Sequence, residues 1–199
     1  MSDKISKLEI TDLAKRFGEK SLFGHLTLSI DGPAVLWAPS GWGKTTLLRI
    51  IMGLESADEG SVTGAGRVGA VFQEDRLCPH LTAVQNVELV LPVGKNASKA
   101  EIEHDFIQLG FDTAALALPA ARLSGGQKRR AALVRALWAD SDVLVLDEPF
   151  TGMDPDTMAK AAAMLRERCE GKPTLLATHD RAAIDELGWP VIDLAREGL

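Results

Sequence analysis

A glycine-rich segment near residue 40 has the residue types that hold a nucleotide phosphate. It reads Ala38-Pro39-Ser40-Gly41-Trp42-Gly43-Lys44-Thr45-Thr46 and, apart from Ala38, matches the phosphate-binding loop (P-loop) pattern G-x-x-x-x-G-K-[ST]. Glycines let the backbone N–H groups surround phosphate oxygens, and a helix that begins after the loop adds the positive end of its dipole. We therefore predict a nucleotide-binding loop formed by Pro39, Ser40, Gly41, Trp42, Gly43, Lys44, Thr45 and Thr46.

Two residues of this loop have separate expected roles, and the residue before it departs from the pattern. Lys44 supplies a point charge for the β and γ phosphates, and the Thr45 hydroxyl is an oxygen ligand for Mg²⁺. Ala38 stands where the pattern has glycine, and if that position needed a positive φ, alanine would cost about 1 kcal/mol, which the loop would tolerate. A plain glycine-rich turn is the alternative interpretation, and the coincidence of a strand, Gly-Lys-Thr and a helix argues against it.

Two adjacent carboxylates follow an apolar strand farther along the chain. Residues 143–146 read Val-Leu-Val-Leu, and Asp147 and Glu148 come directly after them. Ligands of parallel α/β sheets lie beyond the carboxyl ends of the strands, so both side chains are expected beside the P-loop. We assign Asp147 to the Mg²⁺ through water and Glu148 to the water that attacks the γ phosphate. Taken alone, an ordinary acidic strand end is the alternative.

The elements that must position these residues follow from the apolar pattern. Alternating positions predict strands near 5–10 and 26–30, and short apolar runs predict strands at 34–37, 68–72, 143–146, 174–177 and 191–194. Helical patterns predict helices at 45–52, 83–91, 98–109, 126–138, 154–168 and 181–187. Gly53 and Gly110 are expected as left-handed C-caps, and Ser98 with Glu101 forms a capping box.

This order of elements predicts an α/β protein. We expect the parallel sheet core of a P-loop NTPase, an N-terminal antiparallel β region and an inserted helical subdomain. A chain of 199 residues has the length of one domain. We therefore assign residues 1–199 to a single domain, with its core in 1–73 and 136–199 and the helical subdomain at about 74–135.

Composition and charge exclude several classes of function. Hydrophobic residues make up 46% and charged residues 25% of the chain, as in soluble globular proteins. No apolar run approaches the roughly 18 residues that cross a bilayer, and the charged N-terminus does not resemble a secretory signal. A net charge of −6 argues against nucleic acid as a partner, since phosphate neutralisation needs clustered cations. Cys78 and Cys169 lack metal-ligand spacing and are expected to be reduced and partly buried.

A third motif is more specific than the P-loop and the two carboxylates. Leu123-Ser124-Gly125-Gly126-Gln127 directly precedes a predicted helix and matches the signature motif of ATP-binding cassette (ABC) proteins. From about residue 8 to residue 194 the chain resembles one nucleotide-binding domain of that family. Gln73 falls at the Q-loop, Asp154 at the D-loop and His179 at the switch histidine. The resemblance implies an ATPase that uses ATP and Mg²⁺.

The resemblance also implies roles for single residues. Phe17 stands where the family has an aromatic ring that stacks on adenine, with core packing as the alternative role for this side chain. The residues assigned to catalysis are Glu148, His179, Lys44 and Gln73. Those assigned to the metal are Thr45, Gln73 and Asp147, the last through water.

Two cassettes of this family dock head to tail, and each ATP lies between the P-loop of one subunit and the signature of the other. The resemblance therefore implies a second nucleotide-binding subunit, in a homodimer. Ser124 and the amides of Gly125 and Gly126, at a helix N-terminus, would form a second anion cradle. The residues assigned to the partner's ATP are Leu123, Ser124, Gly125, Gly126 and Gln127.

The resulting hypothesis is the ATPase subunit of a membrane transporter, most similar to bacterial importers. Residues 73–82 resemble the corresponding segment of nitrate, sulfonate and taurine importers. This implies separate integral membrane permease subunits, an extracytoplasmic substrate-binding protein and a peripheral location at the cytoplasmic face of the cell membrane. The alternatives are a soluble cassette ATPase of DNA repair or translation, a small-molecule P-loop kinase, which would have no use for the signature, and a switch that only binds nucleotide.

Three further features depart from the family or are ambiguous. Trp42 replaces a small residue, and we expect its indole to face the groove that the partner's signature helix closes, moving from water to a dry interface. Residues 151–154 read Thr-Gly-Met-Asp in place of Ser-Ala-Leu-Asp. The basic run of Lys128, Arg129 and Arg130 is expected to be solvated or paired rather than to bind a ligand.

Overall fold

Two β-sheets form the framework of the protein in the computed structural model, which describes residues 7–92, 94 and 97–197. The strands are β1 (Leu8–Phe17), β2 (Lys20–Ile30), β3 (Pro33–Trp37), β4 (Glu59–Thr63), β5 (Val68–Val71), β6 (Val143–Asp147), β7 (Thr174–Ala177) and β8 (Val191–Asp193). A three-stranded antiparallel sheet has the order β2-β1-β4. A five-stranded parallel sheet has the order β5-β6-β7-β3-β8.

The helices connect and cover these strands. Between β5 and β6 the described residues form helices joined by turns, and they include a 3₁₀ turn at Ala120–Arg122. The α-helices are α1 (Lys44–Ile51), α2 (Ala83–Glu88), α3 (Lys99–Gln108), α4 (Thr113–Leu116), α5 (Gly125–Trp138), α6 (Pro155–Arg168), α7 (Arg181–Leu187) and α8 (Leu194–Glu197). The predicted fold class, a parallel core with an antiparallel β region and an inserted helical part, is confirmed. The domain boundaries at 73 and 136 remain a prediction.

Each face of the parallel sheet packs against its own hydrophobic core. In β6, Leu144 and Leu146 point to the core beneath α2, α3, α5 and α6. Val143 and Val145 point to the other core, which contains α1 and the antiparallel sheet. This alternation is what a strand of period two requires when both faces are covered. The residues after β6 are therefore held at a fixed position on the edge of the sheet.

Several predicted boundaries are wrong. The helix expected at 83–91 ends at Glu88, and the strand expected to reach Phe72 ends at Val71. β1 and β2 extend toward each other to Phe17 and Lys20, which pair at the end of the ladder. The polar Lys15 interrupts the apolar pattern of β1, although its side chain is buried and pairs with Glu55. Residues 5 and 6 of the first predicted strand lie outside the described residues. Cys169 is fully buried and Cys78 is exposed, so neither matches the expected partial burial.

The predicted helix caps are confirmed. Ser98 accepts from the Glu101 amide and the Glu101 carboxylate accepts from the Ser98 amide. Gly53 and Gly110 have φ of 68° and 79°, the left-handed conformation that glycine adopts without penalty. These caps fix where α1 and α3 end.

The strand order determines which loops meet. β6, β7 and β3 are neighbours and run parallel, so the segments that follow their carboxyl ends lie side by side. These segments contain the P-loop after β3, Asp147 and Glu148 at the end of β6, and His179 after β7. β5 is the next strand beyond β6 and brings Gln73 to the same edge. Ligands of parallel sheets bind at this edge.

Candidate nucleotide-binding site

A cleft of about 520 Å³ lies at this edge of the sheet. It contains the P-loop, both carboxylates, Gln73 and His179, so the structure brings together most of the residues that the sequence predicts to share a site. The residues that line it are Phe17, Leu22, Ser40, Gly41, Gly43, Lys44, Thr45, Thr46, Gln73, Asp147, Glu148 and His179.

The backbone of the P-loop has two left-handed glycines. Gly41 and Gly43 have φ of 80° and 109°, and a Cβ at Gly43 would lie 3.1 Å from the Leu22 side chain. Gly43 is also the N-cap of α1, so the free N–H groups of the first helical turn face the cleft. Ala38 is not among the described residues with positive φ. Glycine is therefore not required at this position, and Ala38 has none of the backbone strain that a positive φ would cause.

The Lys44 side chain folds back onto the backbone of its own P-loop. Its Nζ donates to the carbonyl oxygen of Ala38 at 2.6 Å and lies 3.4 Å from that of Pro39. The ammonium group is thus held over the loop by backbone oxygens. A phosphate that enters the cleft would meet a positive charge already held at the P-loop.

Thr45 and Asp147 form an oxygen pair at the floor of the cleft. The Thr45 hydroxyl donates to Oδ2 of Asp147 at 2.9 Å. Burial raises the pKa of Asp147, and the Thr45 hydrogen bond opposes that shift. A hydroxyl beside a desolvated carboxylate suits a small hard cation, since Mg²⁺ takes oxygen ligands and is held by few protein groups together with substrate phosphates. The residues present therefore fit Mg²⁺.

Glu148 is held in place by the segment after β7. Its Oε2 accepts from the Thr178 hydroxyl at 3.0 Å, and its Oε1 lies 2.7 Å from Nδ1 of His179. Glu148 has φ of 49°, a conformation that costs a non-glycine residue about 1 kcal/mol or more. The hydrogen bond and the negative charge of Glu148 raise the pKa of His179. The backbone turn and two side chains thus fix this carboxylate beside the P-loop.

Phe17 lies at the mouth of the cleft, at the end of β1. Its side chain is 52% exposed, so the alternative that it packs in the core is wrong. Lys15 Nζ lies 5.0 Å from the centroid of the Phe17 ring and is itself held by Glu55 at 2.9 Å and the Ser56 carbonyl at 2.7 Å. The ring is exposed and supported from one side, as a stacking surface requires.

Pro39 and Trp42 do not line the cleft, although both belong to the P-loop. The Trp42 ring stacks on Phe23 with centroids 5.2 Å apart and an angle of 13°. It packs on the core that contains α1 and the antiparallel sheet. The indole is therefore half-buried by its own chain, which differs from the expectation that it lies in water, because β2 already covers one face. Its further burial by a partner's signature helix remains a prediction.

The signature residues lie outside this cleft. Ser124 caps α5 and forms a capping box with Gln127, so the Gln127 amide is engaged, whereas the amides of the first helical residues have no acceptor within the helix. The signature approaches the D-loop of its own chain, because a Cβ at Gly126 would lie 2.8 Å from the Gly152 carbonyl oxygen. Asp154 caps α6 and accepts from the Thr157 amide at 3.0 Å. Among the described residues that line the cleft, none belongs to the signature or the D-loop.

Sequence reasoning missed Thr178 and Leu22. Thr178 is buried and donates to Glu148, and its place between an apolar strand and His179 was a usable signal. Leu22 lies on β2, far from any motif, and only the tertiary structure brings it to the cleft. The basic run agrees with the expectation of solvated or paired cations, since Arg129 pairs with Asp75, but its burial against the segment that contains Gln73 was not predicted.

Comparison with known proteins gives the family. The model of the ABC transporter family matches residues 25–151, and the chain belongs to this family. It is 40% identical over 207 residues to the sulfate/thiosulfate import ATP-binding proteins of Cucumis sativus and Bordetella parapertussis. These alignments include 93% of the chain but 59% and 58% of the relatives, so the chain spans less than two thirds of their length.

Solved structures agree with the fold. A dimeric ATP-binding cassette in a post-hydrolysis state, bound to ADP and Pi, superimposes with a TM-score of 0.77 at 26% identity, over 90% of both chains. A Pyrococcus furiosus protein described as a putative ABC transporter ATP-binding protein gives a TM-score of 0.78 over 98% of this chain and all of that chain. At 21% identity the second likeness shows the fold alone.

Two findings bear on the wider protein. No helix in the described ranges has the length and apolar character needed to span a membrane. The relatives reported above are named for sulfate and thiosulfate import, so the group of nitrate, sulfonate and taurine importers remains a prediction.

Proposed function

We propose that the chain is the ATP-binding and ATP-hydrolysing subunit of an ABC importer. The observation that carries this proposal is the position of Glu148, held by Thr178 and His179 at the edge of a cleft that also contains the P-loop. A carboxylate oriented in this way suits a general base for water. The family to which the chain belongs supports ATP as the nucleotide.

Binding of ATP would begin with Lys44 and the P-loop amides. The triphosphate replaces the Ala38 carbonyl as the partner of the Lys44 ammonium, and the α1 N-terminus adds its dipole. Phe17 offers its exposed face to the adenine. Thr45, Asp147 and Gln73 would hold Mg²⁺, and the metal, when bound, neutralises charge on the β and γ phosphates.

Hydrolysis would then depend on Glu148 and His179. Glu148 accepts a proton from the attacking water, and its hydrogen bonds from Thr178 and His179 keep its oxygens aimed at one place. The Nδ1 atom of His179 contacts Glu148, but 76% of the side chain is accessible, so the exposed edge of the imidazole can meet the γ phosphate. Positioned acid–base groups contribute about 10²- to 10⁴-fold to a rate.

The signature supports a second copy of the chain as a partner. Leu123–Gln127 lies outside the cleft of its own chain, the amides of the first α5 residues have no acceptor within the helix, and a charged phosphate suits such a helix start. The related cassette is dimeric in its post-hydrolysis state. We propose a head-to-tail homodimer in which each ATP lies between one P-loop and the partner's signature.

The transport role is drawn from the relatives. We propose that the subunit binds integral membrane permeases at the cytoplasmic face of the membrane, in a complex that includes an extracytoplasmic substrate-binding protein. Its relatives are named for sulfate and thiosulfate, and residues 73–82 resemble importers of nitrate, sulfonate and taurine. These cargoes share anionic oxygens on nitrogen or sulfur, so we propose a small oxyanion as the cargo.

Replacing Glu148 by Gln tests the ATPase proposal. The variant should bind ATP yet lose about 10²-fold or more in turnover, because the amide cannot take the proton. It should also accumulate as an ATP-bound dimer in size-exclusion chromatography. Glu167→Gln, which removes the same charge from the exposed face of α6, is the control. Near-normal turnover of Glu148→Gln would reject Glu148 as the base.

Transport needs a separate test. The chain would be expressed with candidate permease and binding-protein genes and assayed for uptake of labelled sulfate, nitrate or taurine into cells. Uptake of one of these anions that depends on Glu148 supports the oxyanion proposal. Uptake of none of them, by complexes that hydrolyse ATP, rejects it and leaves the ATPase proposal standing.

A further inference from the structure

Arg129 is a buried cation on the signature helix α5. Its side chain is 7% exposed, and its guanidinium group points toward the Q-loop at Gln73. Nη2 donates to the Gln73 carbonyl at 2.6 Å, and Nη1 donates to the Phe72 carbonyl. Nη1 also lies 3.5 Å from Oδ1 of Asp75. One side chain of α5 thus contacts three residues of the segment that contributes Gln73 to the nucleotide cleft.

The two neighbours of Arg129 in the basic run behave differently. Lys128 is partly exposed, and Arg130 lies with its guanidinium carbon 5.4 Å from the Phe111 ring. Neither has a hydrogen bond to the Q-loop among the described contacts. Because burial of a cation is costly unless it is paired, the contacts of Arg129 are those that offset its desolvation.

A second arginine of α5 extends this attachment. Arg135 donates to the Arg76 carbonyl at 2.7 Å and to the Asp75 carbonyl at 3.2 Å. Arg76 has φ of 45°, so the backbone turns back there and presents its carbonyl to α5. Residues 72–76 are therefore fixed by their main-chain oxygens to the helix that begins at the signature.

We propose that Arg129 is a positioning residue that holds Gln73 toward the nucleotide and makes the signature helix and the Q-loop move as one unit. The backbone of Gln73 is anchored to α5, while its side chain faces the cleft. Closure of a partner on the signature would thus also place Gln73. This inference rests on the proposed function, because it assumes that nucleotide occupies the cleft.

The loss of Arg129 should act through Gln73. In Arg129→Met, the carbonyls of Phe72 and Gln73 lose their donor and the carboxylate of Asp75 loses its counterion. Removing a supporting partner of a functional ligand commonly costs 10- to 100-fold, so we expect kcat of the ATPase to fall by about 10-fold or more. In a Gln73→Ala background the same substitution should cost nothing further, because the group that Arg129 positions is already gone.

The test is a cycle of four proteins, wild type, Arg129→Met, Gln73→Ala and the double variant, with kcat and KM for ATP measured in each. Lys128→Met removes a cation from the same turn of α5 and is the matched control, expected to match wild type. Arg129→Lys keeps the charge but has a single donor group, and should recover part of kcat. If Arg129→Met costs the same factor with and without Gln73, the proposal is overturned.

Hydrogen exchange of the nucleotide-free protein gives a readout other than activity. Arg129→Met should speed exchange in residues 72–77, whereas Lys128→Met should leave it unchanged. Unchanged exchange in Arg129→Met would overturn the proposal.

If Gln73→Ala alone keeps wild-type kinetics, the proposed role of Gln73 in ATP hydrolysis fails too. A defect in Gln73→Ala without one in Arg129→Met rejects the positioning role alone. Where Arg129→Met folds poorly, Arg129→Gln, which retains an amide donor, takes its place in the cycle.

Discussion

Nδ1 of His179 lies 2.7 Å from Oε1 of Glu148, and this contact joins the carboxyl ends of two neighbouring parallel strands. Glu148 directly follows the last residue of β6, and His179 lies two positions after the last residue of β7. Thr178, between β7 and His179, donates to the other oxygen of the same carboxylate. The relative position of these two side chains is therefore set by the pairing of β6 with β7 and does not depend on a flexible loop.

The first prediction concerns the titration of His179. Because Glu148 accepts a hydrogen bond from the imidazolium and attracts its charge, the pKa of His179 is raised above its ordinary value. The pairing therefore stabilises the protein below the ordinary histidine pKa, and this contribution disappears as the pH rises through the raised pKa. Glu148→Gln should lower the pKa of His179, as measured by NMR titration of the imidazole protons.

A second histidine on the same protein is the control for this titration. His25 lies 2.7 Å from Asp12 on the exposed face of the antiparallel sheet, and this contact raises its pKa. Asp12→Asn should lower the pKa of His25 and leave that of His179 unchanged. An unchanged pKa of His179 in Glu148→Gln would mean that the pair does not form in solution.

The second prediction tests the shared site. Lys44→Ala removes the phosphate ligand of one chain, and Ser124→Arg blocks the start of α5 on the other, so each variant alone should be inactive. In a mixed dimer one of the two composite sites keeps both Lys44 and Ser124, and ATPase activity should partly return. Subunit mixing is checked with two affinity tags. Mixed dimers that are no more active than either parent would contradict a site built from two chains.

The third prediction uses the two adjacent glycines of the signature. A Cβ at Gly126 would lie 2.8 Å from the Gly152 carbonyl oxygen, whereas a Cβ at Gly125 meets nothing within 4 Å. Overpacking against backbone costs about 1 to 3 kcal/mol, so Gly126→Ala should lower the free energy of unfolding of the nucleotide-free protein by this amount. Gly125→Ala should leave it unchanged or slightly higher. Equal urea midpoints for the two variants would show that the D-loop yields freely.

The fourth prediction concerns Trp42. Because its ring stacks on Phe23 and packs on a core, Trp42→Ser should lower the free energy of unfolding by about 1 to 2 kcal/mol. Trp42→Phe should recover most of this loss. In a chain with Trp42 as the sole tryptophan, emission should change little when ATP joins two chains of a Glu148→Gln background. A large blue shift that requires the dimer would support the interpretation of Trp42 as an interface residue.

Motifs at strand ends were the part of the site that the sequence could predict. The run at 143–146 identified a buried strand, and the rule that ligands bind beyond parallel strands placed Asp147 and Glu148 beside the P-loop. The caps of α1 and α3 were also predictable, because a capping box and a left-handed glycine depend only on neighbouring residues. These signals are local, which is why they can be read without the fold.

Side-chain direction was not predictable in the same way. An indole between Gly41 and Gly43 cannot enter the phosphate cradle without displacing the ligand, which predicts a partner-facing Trp42, but the sequence does not show that β2 brings Phe23 to it. The basic run on α5 looked uniform, yet Arg129 alone turns toward residues 72–75. Lys15 is a polar residue inside β1, so the apolar pattern alone predicts a strand that is too short. Each of these depends on a contact between residues that are distant in sequence.

The contact between Lys44 and the Ala38 carbonyl gives this lysine a structural role in the P-loop, in addition to its proposed role as a phosphate ligand. Ala38 is buried, so its carbonyl would have no donor in Lys44→Ala, and a buried acceptor without a partner costs about 1 to 3 kcal/mol. Weaker nucleotide binding by that variant then combines a missing charge with a loop that has lost its shape. Lys44→Arg or Lys44→Met, compared by thermal unfolding without nucleotide, separates these two contributions.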